Sequence, residues 1–364
     1  MSFRSLALAL PFTVVLASAA ACGDDGSSGA TTGGAGGDDA NCGGGITPVV
    51  NSEFCQQGAT LNCALLTPAA TNQLCNVALP QPAAELTRAT DTDEFSGQGA
   101  PNVSCYAPAS YPPAPPASSA ASLVGHVRVF SNGNDTANVT IEVYDVQPTG
   151  ELGARIGNAV VTPDSCTATG EASDCEDCPD ETRYECDYVY EGVPTETPLA
   201  VKTSGSSWQS LIAYNIYVPT SDLVDGGYEY DPRALATDDY GVIAQAAIGG
   251  PITTGNGAIA GEVHDCDNVR VLNAVADVNV NKKALVYFTS NEDDPLPEAG
   301  ALGTSRLGLY AALDVPSGPA VVAAAGLVNG QVVALGEHKV WVYPDTVTSL
   351  TFRGLRPTQV PAAQ

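Results

Sequence analysis

From Leu123 onward the chain is written in short runs that alternate apolar and polar residues, and this period of two constrains the fold more than any other feature. Successive side chains of a β-strand point to opposite faces, so such a run buries one face and wets the other. Within residues 138–145, Val139, Ile141 and Val143 take one face while Thr140, Glu142 and Tyr144 take the other. Further on, His338, Val340 and Val342 oppose Lys339, Trp341 and Tyr343. Gly, Pro, Asn and Asp punctuate the runs at the spacing of turns. Helical periodicity is best between residues 231 and 248, where Tyr240 to Ile248 reads as a helix within a connector. The expectation is an all-β fold.

The strand-rich text comes in two copies. Gly125-His-Val127 precedes Ala137-Asn-Val139-Thr-Ile141-Glu-Val143, and Gly261-Glu-Val263 precedes Ala274-Val-Ala276-Asp-Val278-Asn-Val280. Tyr188 to Pro194 and Tyr310 to Pro316 follow, each ending in Val-Pro. Apolar strands come next (Leu199 to Val201, Ala320 to Val322), then aromatic strands that stop at proline, Tyr214 to Pro219 and Val340 to Pro344. Four landmarks in one order point to a duplicated module.

This pattern resembles the carboxypeptidase-regulatory-like, or transthyretin-like, module of bacterial surface proteins. The residues that carry the likeness are Asn273-Ala274-Val275 and the Tyr310 to Gly318 hairpin; the first copy lacks the hairpin glycine and holds an insertion from Cys166 to Cys186. The resemblance implies two tandem Greek-key β-sandwiches and an accessory rather than catalytic role. Isopeptide-forming relatives need a lysine on the opening strand, and neither residues 124–130 nor 259–264 supplies one, so no such crosslink is expected.

The start of the chain sets its address. Arg4, an apolar run from Leu6 to Ala17 and small residues before Cys22 have the layout of a secretory signal. The run is too short for a membrane-spanning helix, which needs about 20 apolar residues. Ala19-Ala20-Ala21-Cys22 resembles the bacterial lipobox, in which the cysteine becomes the lipidated first residue; Ala19 stands where that box most often has Leu, and simple cleavage is the alternative. Gly23 in place of Asp after the cysteine favours the outer membrane. The expected organisation is a signal peptide (1–21), a flexible Gly-rich tether (22–41), a small Cys-rich segment (42–106) and a Pro-rich linker (107–122). A first sandwich with a Cys-bridged insertion (123–230), a helix-containing connector (231–256), a second sandwich (257–356) and a tail (357–364) follow.

The eleven cysteines suit an oxidising compartment. With Cys22 lipidated, ten remain as disulfide candidates: Cys42, Cys55, Cys63, Cys75 and Cys105 early, Cys166, Cys175, Cys178 and Cys186 in a cluster, and Cys266 alone. Five early cysteines plus one suggest that Cys266 reaches back to the early group. The cluster allows three pairings, and a zinc site is its alternative, although only Cys175 and Cys178 form a tight Cys-x-x-Cys arm.

A net charge of −27 argues against nucleic acid, which is bound through clustered Lys and Arg. The three histidines make no zinc motif, no Gly-x-Ser-x-Gly elbow occurs, and no phosphate loop is present, so neither enzyme, cofactor nor metal is expected. Eight of the fourteen tyrosines fall between Tyr184 and Tyr240. Trp208, Tyr214 and Tyr217 are therefore candidates for a sugar-stacking or protein-binding platform, set against burial as ordinary strand residues. The reading is a non-enzymatic envelope lipoprotein, held on the membrane through Cys22, with structural or protein-interaction roles. Its alternative is a protein that binds polysaccharide or serves as the accessory subunit of an exported hydrolase.

Overall fold

Ile141 and Val143 are fully buried in a strand, as their alternation requires, and Val139 is buried just before it. The computed structural model describes residues 77, 79–92, 94–106, 110, 112–131, 136–163, 167–172, 182–292 and 294–359. The first block contributes β1 (Ala120–His126), β2 (Thr140–Val146), β3 (Leu152–Val161), β4 (Asp187–Pro194), β5 (Leu199–Ser204) and β6 (Leu211–Ile216). A helix, α1 (Thr237–Ile248), leads to the second block. That block holds β7 (Asn256–His264), β8 (Val275–Val278), β9 (Ala284–Phe288), β10 (Leu309–Pro316), β11 (Gly318–Val328), β12 (Gln331–Val342) and β13 (Val347–Leu350). The fold is all-β.

The two blocks share a sheet. A ten-stranded sheet runs Pro297–Glu298, β9, β10, β7, β13, β6, β5, β2, β3, with Phe352–Arg353 beside β7. Its seam is β13, which pairs in parallel with β6 of the first block and with β7 of the second. Two smaller sheets cover it: Gly227–Glu229 with β1 and β4, and β8 with β11 and β12. Ile141, Val143 and Val201 pack with Leu123 and Tyr190 under the first cover. Ile212, Tyr214, Ile259, Ala312 and Leu350 pack with Val322, Leu335 and Val340 under the second. Cross-strand neighbours share a face, and these two sets alternate along the strands, so the covers lie on opposite faces.

The duplication has a physical core. Gly125 stands opposite Tyr188 in the β1–β4 ladder, and Gly261 opposite Tyr310 in the β7–β10 ladder. The Tyr188 hydroxyl donates to the Tyr230 carbonyl at 2.6 Å, and the Tyr310 hydroxyl to the Leu350 carbonyl at 2.8 Å. A Cβ on Gly125 would sit 2.7 Å from that same Tyr230 oxygen, and one on Gly261 only 1.8 Å from the Leu350 oxygen. In both blocks a carbonyl crosses over the glycine to meet the tyrosine.

Three boundaries differ from the sequence reading. Ala120 to Ser122, placed in the linker, belong to β1, since the last proline lies upstream and their N–H groups are free to pair. Residues 233–236, placed with the helical connector, form a strand against Trp208–Gln209 and Arg128–Val129, and the helix starts at Thr237. Asp238 and Asp239 in the first turn suit the helix dipole, and Gly249 closes it at φ 70°. The described part of the Cys-rich segment lies along the second block: Thr87–Arg88 pairs with Val271–Leu272, and Cys105 is bridged to Cys266. The return of Cys266 to the early group is therefore seen. Closing a loop of that length contributes on the order of 5 kcal/mol in the chain-entropy model. Buried Asp265 beside it accepts from Arg88 Nε (2.6 Å) and from the Asn102 (2.8 Å), Asp267 (3.0 Å) and Val269 (3.2 Å) amides.

Two outcomes follow from this packing. Tyr310→Phe leaves the buried Leu350 carbonyl without its donor and costs about 1–3 kcal/mol in urea unfolding, whereas an unchanged midpoint contradicts the Gly–Tyr account. Glu337 is fully buried on β12 with neither carboxyl oxygen bonded, and burial pushes its pKa up to about 9 against the opposing charge of Lys339. The folded state thus holds a proton that the unfolded chain releases near pH 4.5, and this contribution is lost as pH rises towards 9. Glu337→Gln flattens that decline and raises the unfolding midpoint at pH 8; a lowered midpoint would mean an ionised, paired carboxylate.

Candidate functional site

The first face of the shared sheet is floored by small residues where the two blocks meet. One row runs Val143, Val201, Ala213, Ser349, Ala260, Ala311, Val286, each opposite the next on adjacent strands. The neighbouring row, Leu211, Val347, Ala258, Leu313, Ala284, is bulkier on either side of Ala258. The first cover stops short of this region, and what overlies it is α1 with Phe130 and Leu235. Side chains of Ala and Ser size cannot fill the gap between sheet and cover. A cavity of about 410 Å³ results, within the roughly 300–1,000 Å³ range of small-molecule sites.

The cavity is apolar at one end and charged at the other. Leu211, Ile243, Phe288, Leu313 and Val347 line the helix end, together with Tyr240, whose hydroxyl is buried without a partner. Burial, with Asp345 and Asp314 adding to it, pushes that phenol up to about 12. At the other end stand Glu94, Phe95, Asp231, Arg233, Glu262 and Arg353. Asp231 accepts from Arg128 Nε at 2.9 Å, and Arg233 pairs with Glu94. Phe95 lies among three groups: His264 (4.9 Å between ring centroids), Arg270 (5.4 Å) and Arg353 (5.6 Å).

Glu262 and His264 form the tightest polar pair. His264 is fully buried, with Nε2 2.7 Å from Glu262 and Nδ1 2.9 Å from the Asn268 side-chain amide. Burial drives the imidazole pKa down, against the pull of Glu262. Burial also opposes ionisation of Glu262, but the Arg270 charge and the hydrogen bonds from His264 and Arg270 prevail and hold its carboxyl well below the usual range. With both ring nitrogens engaged, His264 is a fixed strut rather than a free base. Among the described residues no group of three or more His, Cys, Asp or Glu is placed to hold a metal ion.

Of the sequence-predicted site residues, only Tyr214 borders the cavity, and it packs with the core on the opposite face of the sheet, under the second cover. Tyr217 is buried and donates to Glu196; burial and that carboxylate push its phenol up. Trp208 is half-buried against the first block's core, its indole N–H donating to the Ala137 carbonyl at 3.2 Å. The expected aromatic platform is therefore not assembled, because strand alternation turns these rings inward to cores on different faces. Cys186 is buried and disulfide-bonded. Cys22, Cys42, Cys55, Cys63, Cys75, Cys166, Cys175 and Cys178 lie outside the described residues. Sequence reasoning missed the cavity, whose only local trace is alternating alanine, as in Ala258-Ile-Ala260. Among the described residues no helix is long and apolar enough to cross a membrane.

No protein-family model matches the chain, and no curated protein does. Solved structures similar to it include the shaft pilin SpaA from Lactobacillus rhamnosus GG (8% identity, 65% of this chain and 98% of that one, TM-score 0.20). The minor pilin GBS52 from Streptococcus agalactiae (10% identity, 67% and 98%, TM-score 0.18) and a streptococcal ancillary pilin (11% identity, 64% and 62%, TM-score 0.17) are others. At TM-scores this low the likeness says nothing of what this chain does.

The pH behaviour of the polar end can be read directly. The unfolded chain takes up protons that folded His264 and Glu262 refuse, so their contribution is full above about pH 6.5 and declines as pH falls below that value, first through histidine and then through carboxylate. His264→Gln flattens the loss of stability between pH 6.5 and 4.5. A variant profile parallel to the wild type would show that folding does not depress the proton affinity of His264.

Proposed function

We propose that this chain is an exported, non-enzymatic binding module, tethered to the cell envelope through a lipid on Cys22, whose ligand site is the trough on the shared sheet. The observation that carries the reading is the row Ala213, Ser349, Ala260, Ala311, which keeps a cavity of about 410 Å³ open between sheet and helix at the cost of apolar contact. A sheet face meant only for packing fills such a row with larger side chains, because dense interiors leave few voids above the size of a water molecule. The polar groups at the cavity's charged end are largely engaged with one another, which supports binding over chemistry. Envelope anchoring rests on the signal-like start and the small residues before Cys22, with an outer-membrane address from Gly23. The repeated Gly–Tyr device supports reading both blocks as copies of one transthyretin-like module. Polysaccharide binding loses its support with the burial of Tyr214 and Tyr217.

The test uses the chain from residue 23 onward and the neutral, polarity-sensitive dye N-phenyl-1-naphthylamine. Enhanced emission that saturates at one dye per chain and is lost in Ala260→Leu, with the circular dichroism spectrum retained, is expected. No saturable enhancement, or enhancement that Ala260→Leu leaves intact, overturns the binding reading. For the anchor, the full-length protein partitions into detergent after export and Cys22→Ala moves it to the aqueous phase; equal partitioning of both rules out the lipid.

A further inference from the structure

We infer that the trough takes an unbranched acyl chain with one anionic head group, the head resting on Arg353; this builds on the binding reading above. The charges at the polar end cancel in pairs. Arg128 meets Asp231, Arg233 meets Glu94, and Arg270 meets Glu262. Arg353 lines the cavity and has no carboxylate at ion-pair distance among the described residues; its guanidinium lies over the Phe95 ring instead. Arg353 is set opposite His264 in the ladder beside β7, which puts it on the same face as Ala258, Ala260 and Glu262. Three residues on, Arg356 also lacks an acidic partner, and its Nε is buried with no hydrogen bond. The proximity of Arg353 pushes against its protonation, second only to burial. Two neighbouring arginines without counter-ions in a half-buried place are an uncompensated cost. A bound anion offsets it, and the guanidinium fork suits a carboxylate or a phosphate.

The rest of the trough sets the ligand's body. From Ala258 to Glu262 along β7 is four residues, roughly 13 Å at strand rise. The small-residue row beneath and Phe288, Ile243 and Leu313 beyond it offer no charge along that length. A sugar or nucleotide would leave most of its polar groups unpaired there, each at a cost, while a methylene chain loses nothing by leaving water. Glu229, exposed at the rim and without an ion pair among the described residues, disfavours a second negative charge beside the head, so a single anionic head is favoured.

Displacement of N-phenyl-1-naphthylamine separates this proposal from the reading beneath it. Laurate displaces the dye at least tenfold more tightly than methyl laurate or dodecylamine, and Arg353→Gln weakens laurate by about tenfold or more relative to methyl laurate measured on the same variant. Lauroyl lysophosphatidate in place of laurate decides whether the head is a free carboxylate or a lipid phosphate. Equal displacement by laurate and methyl laurate, or laurate affinity untouched in both Arg353→Gln and Arg353→Glu, overturns the anionic-head proposal although dye binding persists. Absence of dye binding in the unmutated chain instead overturns the binding reading itself.

Discussion

Val347–Leu350 is four residues long, yet both of its edges carry hydrogen-bond ladders: one to Leu211–Ile216 of the first block, the other to Asn256–His264 of the second. A strand paired on both sides cannot leave one neighbour without exposing backbone groups to a buried, water-poor environment. Val347, Thr348 and Leu350 are all buried, so both faces of this strand are also covered. The seam converts a duplicated module into one continuous ten-stranded sheet. It also fixes the two smaller sheets on opposite faces of that sheet.

The cavity is a consequence of this arrangement. The first cover protects strands of its own block, the second reaches over its own strands and across the seam to Ile212 and Tyr214, and the first face of the second block is left to the helix that joins them. Tight cover there needs large floor residues. The chain has Ala213, Ser349, Ala260 and Ala311 instead, on strands drawn from both blocks. The trough exists only when the seam is formed, which ties ligand binding to the fusion of the blocks. Glu94 and Phe95, from the segment clamped by the Cys105–Cys266 bridge and the Arg88–Asp265 pair, complete its polar end.

Much of the fold was legible in the sequence because its signals are local. Alternation at residues 138–145 identifies β2 and its buried face, and the Gly125/Tyr188 and Gly261/Tyr310 landmarks mark equivalent positions without stating why. The cross-strand geometry supplies the reason: a carbonyl occupies the place of the missing side chain. The strand at 233–236 was read as part of the helical connector because its partners lie far away in the chain. The site was not legible. Trp208, Tyr214 and Tyr217 attracted attention as aromatics, but a period of two says only that neighbours point apart, not which face has a cover. Arg353 matters through what it lacks, and an absent counter-ion is visible only once non-local pairing has brought Phe95, His264 and Glu262 around it.

Native-state hydrogen exchange at the seam tests the central claim most directly. If β13 joins the blocks into one sheet, amides of residues 211–216, 258–264 and 347–350 exchange through a common opening, with one free energy and one denaturant dependence, as a single cooperative unit does. Exchange of 211–216 and 258–264 through two separate openings, with 347–350 following only one of them, would show two independent modules and leave the trough without its floor.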